Sequence, residues 1–342
     1  MFAESALFFV EKDKNWLATP FTIVGNARID RLERSLKKME ARKSLKLGLI
    51  GLDTSHVVVF SELLNRTEHP YHIPGGSISV AYPGGSPDMH ISISRVEGYT
   101  NELREKFGVT IADSPEAVAE QCDAVLLTSV DGRAHLEQFR HIAPYGKPTF
   151  IDKPFATSSA DAREIIRLAE RYRIPMMSSS SLRFAAGLKD ALDAATPEEG
   201  ALLGADCIGP ATLEPLMPGL FCYGIHAVEM LYTIMGPGCS RVTTRSNADY
   251  DLAVGEWGDG RIGTVRGNRK GYYFAAVIHR EKGARYADVS AHPKPYFAGL
   301  LEAIVEMFHT GVPTIQAKES LEIVRFIEAS NESAETGRTV WL

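Results

Sequence analysis

Between residues 45 and 180 the chain alternates short apolar runs with stretches of helical periodicity, and this alternation restricts the fold more than any other feature. The runs fall at residues 45–51, 78–82, 109–112, 124–129, 149–152 and 175–179. Between them, residues 57–64, 96–107, 132–145 and 158–172 repeat apolar positions at helical spacing, and Ser114-Pro115-Glu116 starts a further helix with a cap followed by an early proline. Runs this short, each followed by a helix, predict buried strands of a parallel sheet covered on both faces, a doubly wound, Rossmann-like α/β domain.

Beyond residue 185 the pattern changes. β-like segments at 212–218, 241–246, 252–257, 261–266 and 273–280 are separated by turn residues. Trp257-Gly258-Asp259-Gly260-Arg261 is a hairpin signal, because Asp-Gly tolerates positive φ. A predominantly antiparallel sheet follows, closed by helices at 296–310 and 317–336. The expected organisation is an N-terminal extension (1–44), a dinucleotide-binding domain (45–180) and an α+β substrate and oligomerisation domain (181–342), its last helix packing back on the first domain. In residues 27–44, seven Lys/Arg against three Asp/Glu surround Ile29, Leu32, Leu36 and Met39 at helical spacing. That is an amphipathic helix, either docking a partner or lying solvated on the main body.

Composition removes several classes of function. A length of 342 residues suits about two domains, and a net charge of −6 gives no general attraction to nucleic acid or an anionic membrane. No apolar run approaches the ~20 residues of a bilayer span. The short run at 6–10 follows Glu4 rather than a basic segment, so no secretory leader is expected and the cytoplasm is the default location. Cys122, Cys207, Cys222 and Cys239 are scattered, and no CxxC or HExxH motif occurs, so neither a disulfide framework nor a metal site is expected.

In open α/β sheets the first strand–helix turn holds a ligand's phosphates on a helix N-terminus. Here that turn is Gly51-Leu52-Asp53-Thr54-Ser55-His56, and only the first glycine of a G-x-G-x-x-G loop is present. A carboxylate at Asp53 repels phosphate, whereas Thr54, Ser55 and His56 supply donors. A plain N-capping turn with Asp53 or Thr54 as cap explains the segment equally. If charge repulsion governs, glycine at position 53 tightens nucleotide binding. The second strand ends Tyr82-Pro83-Gly84-Gly85, with no ribose-binding carboxylate; Asp88 comes several residues late.

Further on, Asp152-Lys153-Pro154 ends a strand. Upstream lie Ser129-Val130-Asp131-Gly132-Arg133-Ala134-His135, and downstream Cys222-Tyr223-Gly224-Ile225-His226-Ala227-Val228-Glu229. In order and spacing these segments resemble the Gfo/Idh/MocA oxidoreductases, the glucose–fructose oxidoreductase and inositol dehydrogenase group, from about residue 45 to the C-terminus. The resemblance implies NAD or NADP as cofactor and a small sugar- or polyol-like substrate. It matches Lys153 to the lysine beside the nicotinamide and the reacting hydroxyl, and His226 to the catalytic histidine. The family's aspartate four residues earlier falls on Cys222, which puts that carboxylate in doubt, and Glu229 is the acidic residue that can partly replace it. Ser129, Asp131 and His135 fall on a cofactor-contacting segment whose proline and asparagine are replaced.

The chemistry gives these residue types a reason. Oxidising a secondary alcohol removes a hydride from carbon and a proton from oxygen. An imidazole such as His226 accepts protons near neutrality, and the Lys153 ammonium stabilises a developing oxyanion. Arg183 binds an anionic substrate group or forms a structural ion pair. Tyr223 stacks on a sugar face or fills core, and Cys222 lines the substrate or is a small buried residue. A family member doing non-redox work, hydrolytic or binding, is the competing reading, favoured by the altered turn. Self-association through the flat second sheet, as dimer or tetramer, is expected.

Overall fold

The computed structural model describes residues 43–290 and 292–342, so the helix expected over 27–44 lies outside the described residues. Residues 44–342 form one compact unit built on two sheets.

The first sheet contains β1 (Leu45–Ile50), β2 (Gly76–Tyr82), β3 (Thr110–Ile111), β4 (Ala124–Leu127), β5 (Thr149–Asp152) and β6 (Met176–Ser179), in the order 3-2-1-4-5-6. All its pairings are parallel. Strands β4 and β5 are buried along their whole length, which is why they read as unbroken apolar runs rather than alternating ones. The intervening helices are α1 (His56–Asn65), α2 (His90–Phe107), α3 (Pro115–Gln121), α4 (His135–Ile142) and α5 (Ser159–Tyr172). Helix α3 starts as its sequence dictates: Pro115 occupies the first turn and the Ser114 side chain accepts from Ala117 N at 3.1 Å. Strand order reverses between β1 and β4, and the carboxyl ends of those strands define the crevice where such sheets bind ligands.

The second sheet has seven strands, in the order β12-β11-β7-β10-β9-β8-β13. They are β7 (Leu202–Pro210), β8 (Cys239–Ser246), β9 (Tyr250–Trp257), β10 (Ile262–Asn268), β11 (Ala275–Arg280), β12 (Gly283–Asp288) and β13 (Val340–Trp341). One pair, β7 with β10, is parallel, and the others are antiparallel. The hairpin expected at 257–261 is present: Trp257 N donates to Arg261 O at 2.9 Å, and Gly260 sits at φ 91°. The strand expected at 212–218 is absent; that segment is irregular apart from an isolated Glu214–Met217 bridge, and the strand lies earlier, at β7. Its Gly-Ala-Asp-Cys-Ile-Gly-Pro run carries too few β-branched residues to stand out from a loop. After the short helix α6 (Ala186–Asp193), helix α7 (Ile225–Met235) lies on β7 and β10, and Tyr232 meets Phe326 of α9 (Ala317–Thr336) edge-on at 6.0 Å. Ten of its eleven residues are buried, so its polar members are fixed by packing. The terminal helix α9 also packs on α5, where Ser159 N donates to Glu328 Oε1 at 2.7 Å.

Two glycines with the same backbone demand should answer differently to alanine. Gly51 and Gly260 both sit at φ 91°. A Cβ at Gly260 meets nothing within 4 Å, whereas at Gly51 it would stand 2.5 Å from the backbone nitrogen of Ser129. Gly260→Ala is expected to cost only the left-handed strain, about 1–2 kcal/mol. Gly51→Ala is expected to cost clearly more, because the two strand ends must separate. Urea unfolding of both variants measures the difference.

Candidate active site

Lys153 and His226 come from opposite halves of the described chain and line one cavity of about 270 Å³. Lys153 follows β5, in the turn at the strand's carboxyl end, and its peptide bond to Pro154 is cis. Its backbone N–H donates to Asp152 Oδ1 at 2.8 Å, which fixes the direction in which the side chain leaves the strand. The ammonium is mostly buried and lies 5.8 Å from the centre of the Tyr223 ring. No carboxylate lies within 4.0 Å of it among the described residues. His226 stands in the first turn of α7, with Phe274 edge-on at 5.6 Å. Its Nδ1 is 2.6 Å from the Ser180 hydroxyl. Burial, with the Lys153 ammonium adding positive field, holds the His226 pKa well below the ordinary value, so the ring is neutral.

His56 opens α1 and faces the same cavity. Its Nδ1 is hydrogen-bonded to Asp152, and Phe297, at the start of α8 (Tyr296–Thr310), covers the ring edge-on at 4.8 Å. Burial pushes the Asp152 carboxyl up, but His56 and Lys153 together outweigh it and hold it below the ordinary value. Sequence reasoning gave His56 only a donor role towards a cofactor. The partner 96 residues away, Asp152, was visible only as the acid of the Asp-Lys-Pro motif.

Thr54, Ser55, Tyr223 and Cys222 also reach the cavity. The Cys222 thiol is buried and its pKa is raised by that burial, so it is not an activated nucleophile. Glu229 is displaced from its expected place, whereas Arg183 takes the structural ion pair that was one of its two expected roles. They ion-pair with each other behind the cavity wall, Arg183 also holds Glu319 at 2.6 Å, and neither lines the cavity. Glu229 sits three residues past His226, on a part of α7 turned away from the cavity. Its charge is spent on Arg183, so it replaces no missing catalytic acid. Arg95 and Glu214, which the sequence did not single out, are the other charged residues on the cavity wall.

The remaining residues expected to hold cofactor are sealed. Residues 83–89 form a strap across the carboxyl ends of β1 and β4. Gly51 N donates to Tyr82 O (3.0 Å) and Leu52 N to Pro83 O (2.7 Å), which spends these two N–H groups of the turn on the chain itself. Asp53 is fully buried, and its carboxylate accepts from Ser92 Oγ at 2.6 Å and Val130 N at 2.8 Å. It points into protein rather than at the crevice, so the phosphate repulsion expected from the sequence has no counterpart; Ser55 takes the N-cap position of α1 without a side-chain bond, while Thr54 Oγ1 accepts from His56 N at 3.4 Å. Ser86 Oγ donates to Asp131 at 2.6 Å, and Arg133 ties Asp131 to Asp88 across the strap. Ser129 donates to Gln138 at 2.9 Å, and the His135 ring bridges the carbonyl oxygens of Ser129 and Pro154, each at 2.9 Å. None of Gly51, Asp53, Ser129, Asp131 or His135 reaches the cavity. The crevice is therefore open at Thr54, Ser55, Val130 and Lys153 and filled by the chain's own residues around Gly51, Asp53 and Asp131. The open volume is just below the ~300–1,000 Å³ of pockets that enclose drug-sized ligands.

Residues 90–178 match the Gfo/Idh/MocA family model, described as an oxidoreductase family with an NAD-binding Rossmann fold. The matched segment contains Lys153 and begins after the strap. No curated protein matches the chain. Among solved structures, a probable dehydrogenase from Thermotoga maritima superposes with a TM-score of 0.71 at 18% identity, over 87% of this chain and 98% of that one. Myo-inositol 2-dehydrogenase from Lactobacillus plantarum gives 0.71 at 14% identity, over 88% and 100%. An oxidoreductase from Agrobacterium radiobacter, solved with NAD+, L-tartaric acid and magnesium, gives 0.66 at 16% identity, over 87% and 98%. At such identities the likeness is one of fold.

The strap's carboxylates set a pH-dependent stability. Burial raises the Asp131 pKa, but the hydrogen bonds from Arg133 and Ser86 overcome it and leave the group lowered. A depressed carboxylate contributes its stability in full above its unfolded pKa and loses it as pH falls through the folded one. Asp131→Asn is therefore expected to unfold more easily than wild type at neutral pH. The gap should close below about pH 4, as guanidinium titrations across that range would record.

Proposed function

We propose that this chain, a member of the Gfo/Idh/MocA oxidoreductase family, transfers hydride between NAD or NADP and a secondary alcohol of a sugar, polyol or cyclitol. The observation that carries the reading is the meeting of the Lys153 ammonium and the His226 imidazole on one cavity at the carboxyl end of the parallel sheet. NAD(P), when bound, supplies the hydride acceptor; the chain's own residues handle the oxygen. A hydroxyl placed between Lys153 and His226 meets an unpaired positive charge and a neutral imidazole. The ammonium stabilises the alkoxide as it forms, an interaction stronger in the transition state than in the ground state. Tyr223, Tyr272 and Tyr296 border the same space and offer ring faces and hydroxyls suited to a polyhydroxylated molecule.

The setting follows from the same features. All four cysteines are free, which fits the cytoplasmic location expected, and no described helix is long and apolar enough to cross a membrane. Leu203, Ile262, Tyr286 and Trp341 are exposed on strands of the second sheet, and self-association as a homo-oligomer would cover them.

A second reading, a family member doing hydrolytic or binding work without redox chemistry, is favoured by the strap that fills the crevice around Gly51, Asp53 and Asp131. Nicotinamide fluorescence separates the two. On the first reading, wild-type protein shifts the emission of NADH or NADPH. Ser86→Ala/Ser92→Ala, which loosens the strap, binds more tightly. Lys153→Ala lowers turnover of a polyol panel far more than nucleotide affinity. Absence of binding at millimolar nucleotide, by wild type and by the loosened variant alike, would overturn the first reading in favour of the second.

A further inference from the structure

We infer that His56, held by Asp152, is the proton acceptor of this cavity, and that His226 faces it as a hydrogen-bond donor. The inference rests on the reading of the Lys153 cavity as the reaction site, and it reverses the role that the sequence gives His226.

Hydrogen-bond accounting leads to it. Asp152 is a buried carboxylate held ionised, and an ionised carboxylate only accepts. The bond between His56 Nδ1 and Asp152 Oδ2 therefore carries the imidazole proton on Nδ1. In the neutral ring, Nε2 is then a bare lone pair. It has no hydrogen-bond partner among the described residues and is not among the buried unpartnered atoms, so it is exposed where the residue lines the cavity. A carboxylate fixing the tautomer and orientation of a histidine is the arrangement that prepares an imidazole to accept a proton.

His226 is wired the other way. Ser180 is fully buried, and its hydroxyl oxygen already accepts from Leu182 N at 3.1 Å. Its proton has one acceptor in reach, His226 Nδ1, at 2.6 Å. Were Nδ1 the donor instead, the buried Ser180 O–H would have no acceptor among the described residues and would stand desolvated and unpaired. With Ser180 donating, the His226 proton sits on Nε2. The two imidazoles thus present opposite polarity to one space, with the Lys153 ammonium on the same wall.

The step this permits is a proton transfer. The O–H bond of a substrate hydroxyl breaks, its proton forms an N–H bond at His56 Nε2, and the electron pair stays on oxygen. The resulting alkoxide is met by the Lys153 ammonium and the His226 Nε2–H. The imidazolium formed at His56 is stabilised by Asp152, which keeps its own charge.

Long-range ¹H–¹⁵N correlation spectra of the full chain near neutral pH, assigned with His56→Gln and His226→Gln, test the wiring without any substrate. The expected result is a protonated Nδ1 with a bare Nε2 at His56, the reverse at His226, and loss of the fixed His56 tautomer in Asp152→Asn. A protonated Nε2 at His56, or a bare one at His226, would overturn the inference. In turnover of myo-inositol and related polyols with NAD+, His56→Gln is expected to lower kcat about 10²–10⁴-fold with little change in KM. Retention of kcat within a few-fold would also overturn it. If wild type turns over none of the polyols, the functional reading fails while the tautomers still decide the wiring.

Discussion

A carboxylate taken out of water must be met by hydrogen-bond donors, and at the switch point of the parallel sheet that requirement decides what the crevice can hold. Asp53 and Asp131 are both buried there. The donors that meet them come from Ser92, Ser86, Val130 N and Arg133, and the first two belong to the strap and the helix that follows it. Removing the strap would return two carboxylates to the crevice with part of their partners gone, each a penalty of order a few kcal/mol. Glycines at 84 and 85, both at positive φ, let the strap turn flat against Gly51, where a side chain at 84 would crowd its Cα at 3.4 Å. The acid in the turn and the strap after the second strand thus act together: Asp53 anchors, through Ser92, the helix that follows the strap.

The open end of the crevice follows a different electrical rule. Its buried groups are arranged so that, among the described residues, the Lys153 ammonium is left without an ion-pair partner. Asp152 is committed to His56 and to the Lys153 backbone, and Glu229 and Glu319 are committed to Arg183. Lys153 therefore keeps its ammonium buried beside a small cavity, where its field is stronger than in bulk water. The same field, with burial, keeps His226 neutral.

The fold was legible because its signals are local. Unbroken apolar strands, the Ser114-Pro115 cap and the Asp259-Gly260 turn each carry their own instruction. Strand β7 escaped notice because small residues and a cysteine dominate it, and its strand character comes from its neighbours β10 and β11. The site was legible only as far as motif positions go. Lys153 and His226 meet, whereas Glu229 and Arg183, equally well placed in sequence, neutralise each other across 46 residues. Nothing in spacing reports which of two charged groups faces the cavity and which faces a partner. For Asp53 the sequence identified a charge correctly and its direction wrongly, because Ser92, which turns it inward, lies 39 residues on in a segment that reads as an ordinary helix start.

Direction also settles how His56 and Asp53 differ, though both replace glycines of the same loop. Asp53 turns beneath the sheet's end and is consumed by structure. His56, three residues later on the first turn of α1, turns towards β5 and finds the acid of Asp-Lys-Pro. A glycine at either position leaves backbone open to a phosphate. An aspartate and a histidine instead link the turn to two other parts of the sheet, β4's loop and β5's end, and so make the pocket rigid. A rigid pocket of this size selects for a compact ligand, because each added rotatable group must be ordered inside walls that do not give. The two side chains thus tie one turn to both flanking strand ends, and the cavity between them carries the His56 imidazole and the Lys153 ammonium on walls anchored in the sheet.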